Sequence, residues 1–247
     1  MLALFVQAPF AAFRTFTAGW YRPTAAFITP SAAYGLALNV AGIETRRDDG
    51  LSAMTLTKFD LPRVRIALGA DPSNPRGPFP SVQSLYQQLH NYPVGVSGKE
   101  RKQGAKGNKY NITPVRREFL ADLRAYIILD ADPYVEDRIT AGLSTERAEP
   151  RYGLPFVGDN AFLLDRLEIC DGPVKAHWYR RLCPDDETGI IAHTTRLTIW
   201  IDRQDMSTTR SALYAPLPEA TEEIPEDAWT EIQPPREPPS VAKKKEG

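Results

Sequence analysis

The sequence predicts an α+β fold, and three features of the 247-residue chain support that prediction. Residues 2–6 form a short apolar run, long enough for one buried strand. Residues 30–42 carry apolar side chains at helical spacing. Residues 54–59 and 64–68 alternate apolar and polar side chains, which is typical of strands with one buried face. A hydrophobic content of 42% is sufficient for one large domain with an insertion.

Residues 3–42 are predicted to form a strand, a polar-aromatic loop and a helix. The apolar positions 33, 36, 37 and 40 fall on one side of that helix. Pro30 and Ser31 suit its first turn and its N-cap, and Gly42 suits its end. The preceding loop contains two aromatic rings and a cation, Trp20, Tyr21 and Arg22.

Residues 81–118 are predicted to form a β-hairpin, after an irregular, proline-rich connection. Its arms are residues 81–89, for which a helix is the alternative, and residues 110–115. The segment between them, residues 94–108, holds four glycines among its lysines and has almost no apolar side chains. It therefore cannot pack into a core, and a basic, glycine-rich tip between two extended arms indicates a protruding hairpin.

The remaining sequence alternates strands and one helix. Residues 119–129 are predicted to be a buried strand and residues 134–143 a short helix. A segment over residues 161–169 follows, and two further strand candidates are residues 174–182 and 189–201. From residue 218 the composition turns to Pro, Glu and Lys, which predicts an extended or disordered tail with Trp229 as its one anchor.

The charge is unevenly distributed although the net charge is only −1. Residues 99–117 contain seven basic side chains and one acid, whereas residues 219–237 contain seven acids and one arginine. Cys170 and Cys183 do not make a disulfide framework, and no signal peptide or membrane span is expected. A reducing cytoplasm is the expected location.

Three segments resemble the CRISPR-associated Cas-five family of the RAMP superfamily, whose members hold the 5′ end of the guide RNA in type I Cascade complexes. Residues 115–120 resemble the family's strand after its thumb, and residues 152–162 resemble its Pro-aromatic-x-Gly segment. The N-terminal match rests on a set of loop and helix-start residues: Phe13, Arg14, Arg22, Pro23, Thr24, Pro30, Ser31, Tyr34 and Gly35. The three segments together cover the chain to about residue 165.

The resemblance implies a ferredoxin-like, RNA-recognition-type topology that periodicity alone does not specify. It assigns residues 1–80 and 110–165 to a ferredoxin-like RNA-binding domain, with residues 81–118 inserted as a β-hairpin thumb. Residues 166–215 are expected to form a smaller C-terminal β-rich region, and residues 216–247 the acidic, Pro-rich tail.

Single-stranded RNA is held by cations on phosphates and by stacking of bases on planar side chains. The candidate contacts are the loop residues Arg14, Trp20 and Arg22, the helix-start residues Ser31 and Tyr34, and the basic residues Lys99, Arg101, Lys102, Lys106, Lys109 and Arg116. Each has a structural alternative. The basic tip could be a solvated loop, and Trp20 could cover the edge of the core. Ser31 could act only as a helix cap, and Tyr34 could pack inward.

The sequence disfavours catalysis and metal binding. Some members of the family cleave the guide precursor without metal through a Tyr-Lys-His type arrangement. His90, His177 and His193 are the only histidines, and His90 has no neighbouring lysine. Zinc-ligand spacing is missing, and Asp130, Asp132 and Asp159 are typical of turns at strand ends. No cofactor is expected.

The resemblance therefore predicts a non-catalytic subunit that grips the 5′ handle of the crRNA for RNA-guided DNA targeting. Its expected partners are the crRNA, the repeated Cascade backbone subunit and the large subunit, with target DNA near the PAM end as a further candidate and no membrane. Two alternatives stay open. One is a metal-independent endoribonuclease that processes the precursor, and the other is a generic single-stranded RNA-binding module.

Overall fold

The computed structural model describes residues 1–15, 20–47, 56–93, 110–144, 151, 153–183, 191–203 and 205–235, with only the backbone of 89–93 and 110–113. The described chain contains two α-helices, α1 (Pro30–Val40) and α2 (Pro133–Leu143). Neither is long and apolar enough to cross a membrane. The strands, in chain order, are β1 (Leu2–Ala11), β2 (Tyr21–Arg22), β3 (Arg46–Arg47), β4 (Leu56–Thr57), β5 (Val64–Ala70), β6 (Ser81–Pro93), β7 (Tyr110–Ala131), β8 (Arg166–Ile169), β9 (His177–Arg181), β10 (Thr195–Trp200), β11 (Arg210–Pro216) and β12 (Thr230–Ile232).

Four strands form the centre of the main sheet in the order β5-β7-β1-β8, and all neighbours are antiparallel. Helix α1 connects β1 to β5 across β7, and α2 connects β7 to β8 across β1. Two interleaved βαβ units of this kind define the ferredoxin-like topology. The predicted α+β, ferredoxin-like fold with a β-hairpin insertion is therefore confirmed.

Residues 110–115, predicted as one arm of the hairpin, and residues 119–129, predicted as a separate buried strand, are parts of one 22-residue strand, β7. Asp122 interrupts its alternation with a left-handed φ of 60°. Leu120 and Leu123 are consequently both fully buried although they are three positions apart. We call residues 120–131 the inner half of β7, which pairs with β1 and β5, and residues 110–119 the outer half, which pairs with β6 and β2.

The N-terminal cap of α1 differs from the prediction. Thr29, not Ser31, is the N-cap residue, and its hydroxyl accepts a 3.2 Å hydrogen bond from the Ala32 amide. Pro30 begins the helix as expected. Gly42 follows its end with a φ of 68°, a left-handed conformation that glycine adopts without strain.

The main core lies between the central sheet and the two helices. It includes Leu4 and Val6 of β1, Leu36 of α1 and Ile139 of α2. The helices pack closely, because a Cβ added at Gly142 would lie 2.0 Å from the Val40 carbonyl oxygen. A smaller cluster around Trp178 of β9, with Ala67 and Ile128 as sheet members, packs against the opposite face.

Residues 216–235 do not form the extended or disordered tail that was expected from residue 216, because they pack on the main sheet. Strand β12 pairs with β5, and Ile232 is fully buried. Two acids of this segment bind sheet arginines: Glu226 lies 2.5 Å from Arg65, and Asp227 lies 3.0 Å from Arg180. Burial and ion pairing thus hold residues 217–235 on the sheet, well beyond a single anchor at Trp229. Residues 236–247 lie outside the described part.

The shorter strands lie where they were predicted, but their lengths differ from the prediction. The strand predicted at residues 54–59 contains only β4 in the described chain, and β4 pairs with β3 in a separate two-stranded sheet. The strands predicted at residues 174–182 and 189–201 appear as β9 and β10, and β8 lies within residues 161–169. Strand β11 then joins β9 to β10 at the edge of the main sheet.

Candidate nucleic-acid interface

The loop over residues 12–24 follows β1 and is closed at its base by hydrogen bonds. The Phe13 amide donates to Thr24 Oγ1 at 2.9 Å, and the Ala25 amide donates to the Phe13 carbonyl at 2.8 Å. Arg14 and Thr24 form an antiparallel bridge. Residues 16–19 lie outside the described part. The loop therefore presents its remaining residues from a fixed base at the end of β1.

The returning side of this loop lies along the outer half of β7. Strand β2 pairs in parallel with Arg116 and Arg117, and the Arg116 amide donates to the Trp20 carbonyl at 2.7 Å. The Tyr21 hydroxyl donates to the Glu118 carboxylate, and this bond raises the pKa of Tyr21. Glu118 also accepts a 3.2 Å bond from the Thr24 amide. Trp20 remains 64% exposed.

Asp159 joins the loop to the outer half of β7. Its nearly buried carboxylate lies 3.2 Å from the Arg14 guanidinium and 2.5 Å from that of Arg117. Burial raises the pKa of Asp159, but the Ala161 amide, Arg117 and Arg14 together outweigh burial and lower it. Asp159 is therefore an ionised link between the loop over residues 12–24, β7 and its own loop.

Gly158, the residue before this carboxylate, fits closely against the loop base. A Cβ added there would lie 2.2 Å from the Ala12 carbonyl oxygen, and φ is +78°. The Ala12 amide donates to the Val157 carbonyl at 3.2 Å. The Pro-aromatic-x-Gly segment therefore has a structural role, because it positions Asp159 beside Arg14.

The predicted RNA-contacting residues differ in their exposure to solvent. Arg14, Trp20 and Arg116 are exposed, and Arg22 is half-buried in β2. The other predicted contacts of this kind, Lys99, Arg101, Lys102, Lys106 and Lys109, lie outside the described residues.

The two helix-start candidates have different environments. Tyr34 is only 4% exposed, its hydroxyl donates to the Pro62 carbonyl at 2.8 Å, and burial raises its pKa. A buried ring offers no free face for stacking on a base, which favours the packing alternative for Tyr34, and its contact with RNA stays a prediction. Ser31 is half-buried, with its hydroxyl 3.1 Å from that of Thr29.

Tyr86 and Glu118 belong to the same surface, although neither has a sequence pattern that predicts a functional role. Tyr86 is 75% exposed on β6, directly opposite Arg116 on β7. Its register with Arg116 depends on the pairing of the two hairpin arms, which residue spacing alone does not specify.

The histidines and acids have structural contacts in the described chain. His177 Nδ1 lies 2.9 Å from the Leu217 carbonyl oxygen, and His193 packs on Phe79 with ring centroids 4.1 Å apart. The side chain of His90 lies outside the described part. Asp132 caps α2, and Asp130 lies 3.7 Å from Arg65. Within the described residues, no cluster of three or more His, Cys, Asp or Glu side chains suits a metal ion.

Comparison with known proteins identifies the relatives of this chain. A search of curated proteins finds no match. Among solved structures, a chain of a "CRISPR RNA-guided surveillance complex" aligns with a TM-score of 0.50 and 12% identity, over 89% of this chain and 90% of that one. At this identity the likeness concerns the fold.

The family model described as "CRISPR-associated protein (Cas_Cas5)" matches residues 1–144. This range includes β1, the loop over residues 12–24, both helices and the whole of β6 and β7. It covers more than half of the chain and contains two of the three segments that carry the resemblance. The chain therefore belongs to the CRISPR-associated Cas5 family.

Proposed function

We propose that the chain is the guide-RNA-binding subunit of a type I CRISPR Cascade complex. It grips the 5′ handle of the crRNA with the loop over residues 12–24 and the thumb. It also caps the backbone filament beside the large subunit, near the PAM end of the target DNA. The observation that carries this proposal is the family match over residues 1–144, the part of the chain that contains the loop and the thumb.

The surface chemistry supports RNA as the ligand. Trp20 and Tyr21 offer exposed rings for base stacking, and Arg14 and Arg116 offer exposed guanidinium groups. The five basic residues of the thumb tip supply further positive charge for phosphates. A half-buried Ser31 in the first turn of α1 is a further phosphate candidate, because amides at a helix N-terminus attract anions.

We further propose that this subunit does not cleave RNA. Metal-independent cleavage needs a general base and a general acid within reach of the 2′-hydroxyl and the leaving oxygen. His177 is engaged with a backbone carbonyl, and His193 is stacked on Phe79. Both contacts favour structural roles for these rings.

A binding assay with repeat-derived single-stranded RNA tests the first proposal. The wild-type chain should bind this RNA with a steep salt dependence. Simultaneous replacement of Lys99, Arg101, Lys102 and Lys106 by Ala should weaken binding and flatten the slope by roughly 0.7 for each phosphate that is no longer neutralised. An unchanged slope would remove the thumb tip from the interface. If the chain copurified with neither RNA nor co-expressed Cascade subunits, the proposal as a whole would be wrong.

Incubation of the purified chain with labelled repeat RNA in EDTA tests the second proposal. Intact RNA is the expected result. Specific cleavage that disappears in His90→Ala would instead identify a processing endoribonuclease. The same preparation of His90→Ala, assayed for RNA binding, controls for loss of fold.

A further inference from the structure

Three planar side chains lie in one row across the base of the thumb. Tyr86 on β6 is directly opposite Arg116 on β7, and Arg116 is in turn the partner of Tyr21 on β2. Residues that are directly opposite in neighbouring strands point to the same face of a sheet. The Arg116 guanidinium carbon lies over the Tyr21 ring, 5.6 Å from its centroid, so these two groups are neighbours.

The row is open to solvent. Tyr86 is 75% exposed, Tyr21 is 38% exposed and Arg116 is exposed. Trp20 extends the row at its β2 end, with its ring centroid 6.2 Å from that of Tyr21. Single exposed aromatic residues are ordinary on protein surfaces. Three planar groups in register, one of them cationic, with a fourth beside them, form a cluster of solvent-exposed planar side chains.

Hydrogen bonds hold Tyr21 and Arg116 in place before any ligand binds. The Tyr21 hydroxyl donates to Glu118, which the Thr24 amide also holds. Arg116 donates to Ser84 Oγ at 3.4 Å, and its amide is bound to the Trp20 carbonyl. A surface that is already ordered loses little conformational entropy on binding, so stacking contributes more of its free energy to affinity.

We propose that Tyr86, Arg116 and Tyr21 form a stacking platform for two or three unpaired nucleobases of the bound RNA. This inference rests on the proposed function and specifies the mode of contact. Unpaired bases stack on tyrosine rings and on guanidinium planes, and sheet-borne aromatic residues of RNA-recognition modules hold two or three bases in this way. The Arg116 charge also suits the phosphates that connect those bases.

The platform selects single strands. In a duplex the base faces are covered by their stacked neighbours, so a row of planar side chains has no base face to stack on. Stacking is tolerant of base identity, so the platform contributes affinity and register while sequence preference arises elsewhere. Tyr86 has the largest part, because it is the most exposed member of the row.

A fluorescence assay on the full chain tests the platform. The probe is repeat-derived single-stranded RNA with 2-aminopurine at successive positions, whose emission is quenched when the base stacks. Wild type should quench two or three adjacent positions. Tyr86→Leu should abolish the quench there and reduce affinity roughly 5- to 150-fold, the equivalent of about 1–3 kcal/mol per stacked base. Its salt slope should not change, because no charge is removed.

Matched variants separate stacking from other effects. Tyr86→Phe keeps the ring and should retain both quench and affinity. Arg116→Lys keeps the charge but lacks the plane, so the quench should fall while the salt slope stays. Leu85→Ala changes the neighbouring residue on the opposite face of β6 and should leave binding within about twofold, as for other surface changes.

Three outcomes are decisive. Wild-type quench and affinity in Tyr86→Leu would overturn the platform while the proposed RNA-binding function stands. If Tyr86→Leu bound RNA normally but failed to assemble with co-expressed subunits, the row would be a protein interface, and the platform would again be wrong. Absence of RNA binding by the wild-type chain would reject the proposed function and the platform with it.

Discussion

The inner and outer halves of β7 are one continuous strand in opposite environments. On the inner half, Leu120, Leu123, Ala125, Ile127 and Leu129 are fully buried between the sheet and the helices. On the outer half, Arg116 is exposed, and so are residues 81–88 of the neighbouring β6. The difference arises from the neighbours. The inner half pairs with β1 and β5 and is covered by the helices, whereas the outer half pairs with β6 and the two-residue β2.

This contrast explains how a small domain can stabilise an exposed ligand surface. The inner half contributes the apolar burial on which folding depends, and its backbone continues without a break into the outer half. Surface residues on a rigid strand keep their geometry better than residues on a free loop. The Asp159 link to Arg14 and Arg117 lies where the two halves meet.

The largest expected effect comes from a cavity in the inner half. Leu123→Ala should lower the free energy of unfolding by roughly 2–5 kcal/mol, because the fully buried side chain leaves a space that its neighbours only partly fill. Leu85→Ala on β6, 40% exposed, should cost less than about 0.5 kcal/mol. Urea denaturation measures both. Equal decreases would show that the two regions do not differ in packing.

Gly158→Ala should lower the free energy of unfolding by about 1–3 kcal/mol. The added Cβ would meet the Ala12 carbonyl oxygen, and the backbone has a positive φ. Gly153→Ala is a matched control, since its φ is +69° but no atom lies within 4 Å of the added Cβ. It should cost only about 1 kcal/mol. Thermal or urea unfolding of both variants measures how much the close packing of Gly158 against Ala12 contributes to stability. Indistinguishable decreases in the free energy of unfolding would argue against such a contribution.

Asp159→Asn should cost about 1–3 kcal/mol at neutral pH, because it leaves the Arg117 guanidinium without its carboxylate partner. The lowered pKa of Asp159 sets the pH dependence. Its ionised form stabilises the fold above the unfolded-state pKa of about 3.9, and that contribution disappears as the pH falls through this value to the lower pKa of the folded protein.

Urea unfolding at a series of pH values checks this prediction. The free-energy difference between wild type and Asp159→Asn should narrow as the pH falls through about 3.9. Asp171→Asn, at an exposed carboxylate, should show a difference within about 0.5 kcal/mol at neutral pH. A gap that stays constant with pH would contradict the role of Asp159 as an ionised link.

The smallest expected effect is at the helix that covers the inner half. Thr29→Ala removes the N-cap hydrogen bond of α1 and should cost about 1 kcal/mol. Ser31→Ala should cost less than about 0.5 kcal/mol, because Ser31 does not cap the helix. The same two variants, assayed with repeat-derived RNA, also test the phosphate proposed at this helix start. Reduced RNA affinity in Ser31→Ala alone would support it.

Tyr34 and Tyr86 show why the site was harder to predict than the fold. Both are tyrosines in regular elements, and neither has a sequence neighbourhood that distinguishes burial from exposure. Tyr34 is buried because α1 packs on the sheet, with its ring in edge contact with Trp200 of β10, far along the chain. Tyr86 is exposed because the described part of the structure places only the outer half of β7 beside it.

The sequence by itself determined the elements and their general class. Apolar periodicity located β1, α1, β5, the inner half of β7 and α2, because local spacing controls which side chains share a face. The charge pattern located the basic tip, and short motifs identified the family. These are properties of neighbouring residues, so they can be recognised without knowing the rest of the fold.

Only the tertiary structure decided which of those residues meet. It placed Asp159 between Arg14 and Arg117, put Tyr86 in register with Arg116 and Tyr21, and returned the C-terminal segment to the sheet as β12. Each contact joins positions separated by tens of residues. These contacts are set by the pairing register of the strands, by the irregular backbone at Asp122 and by the burial of Ile232. All three features depend on the packing of the whole chain.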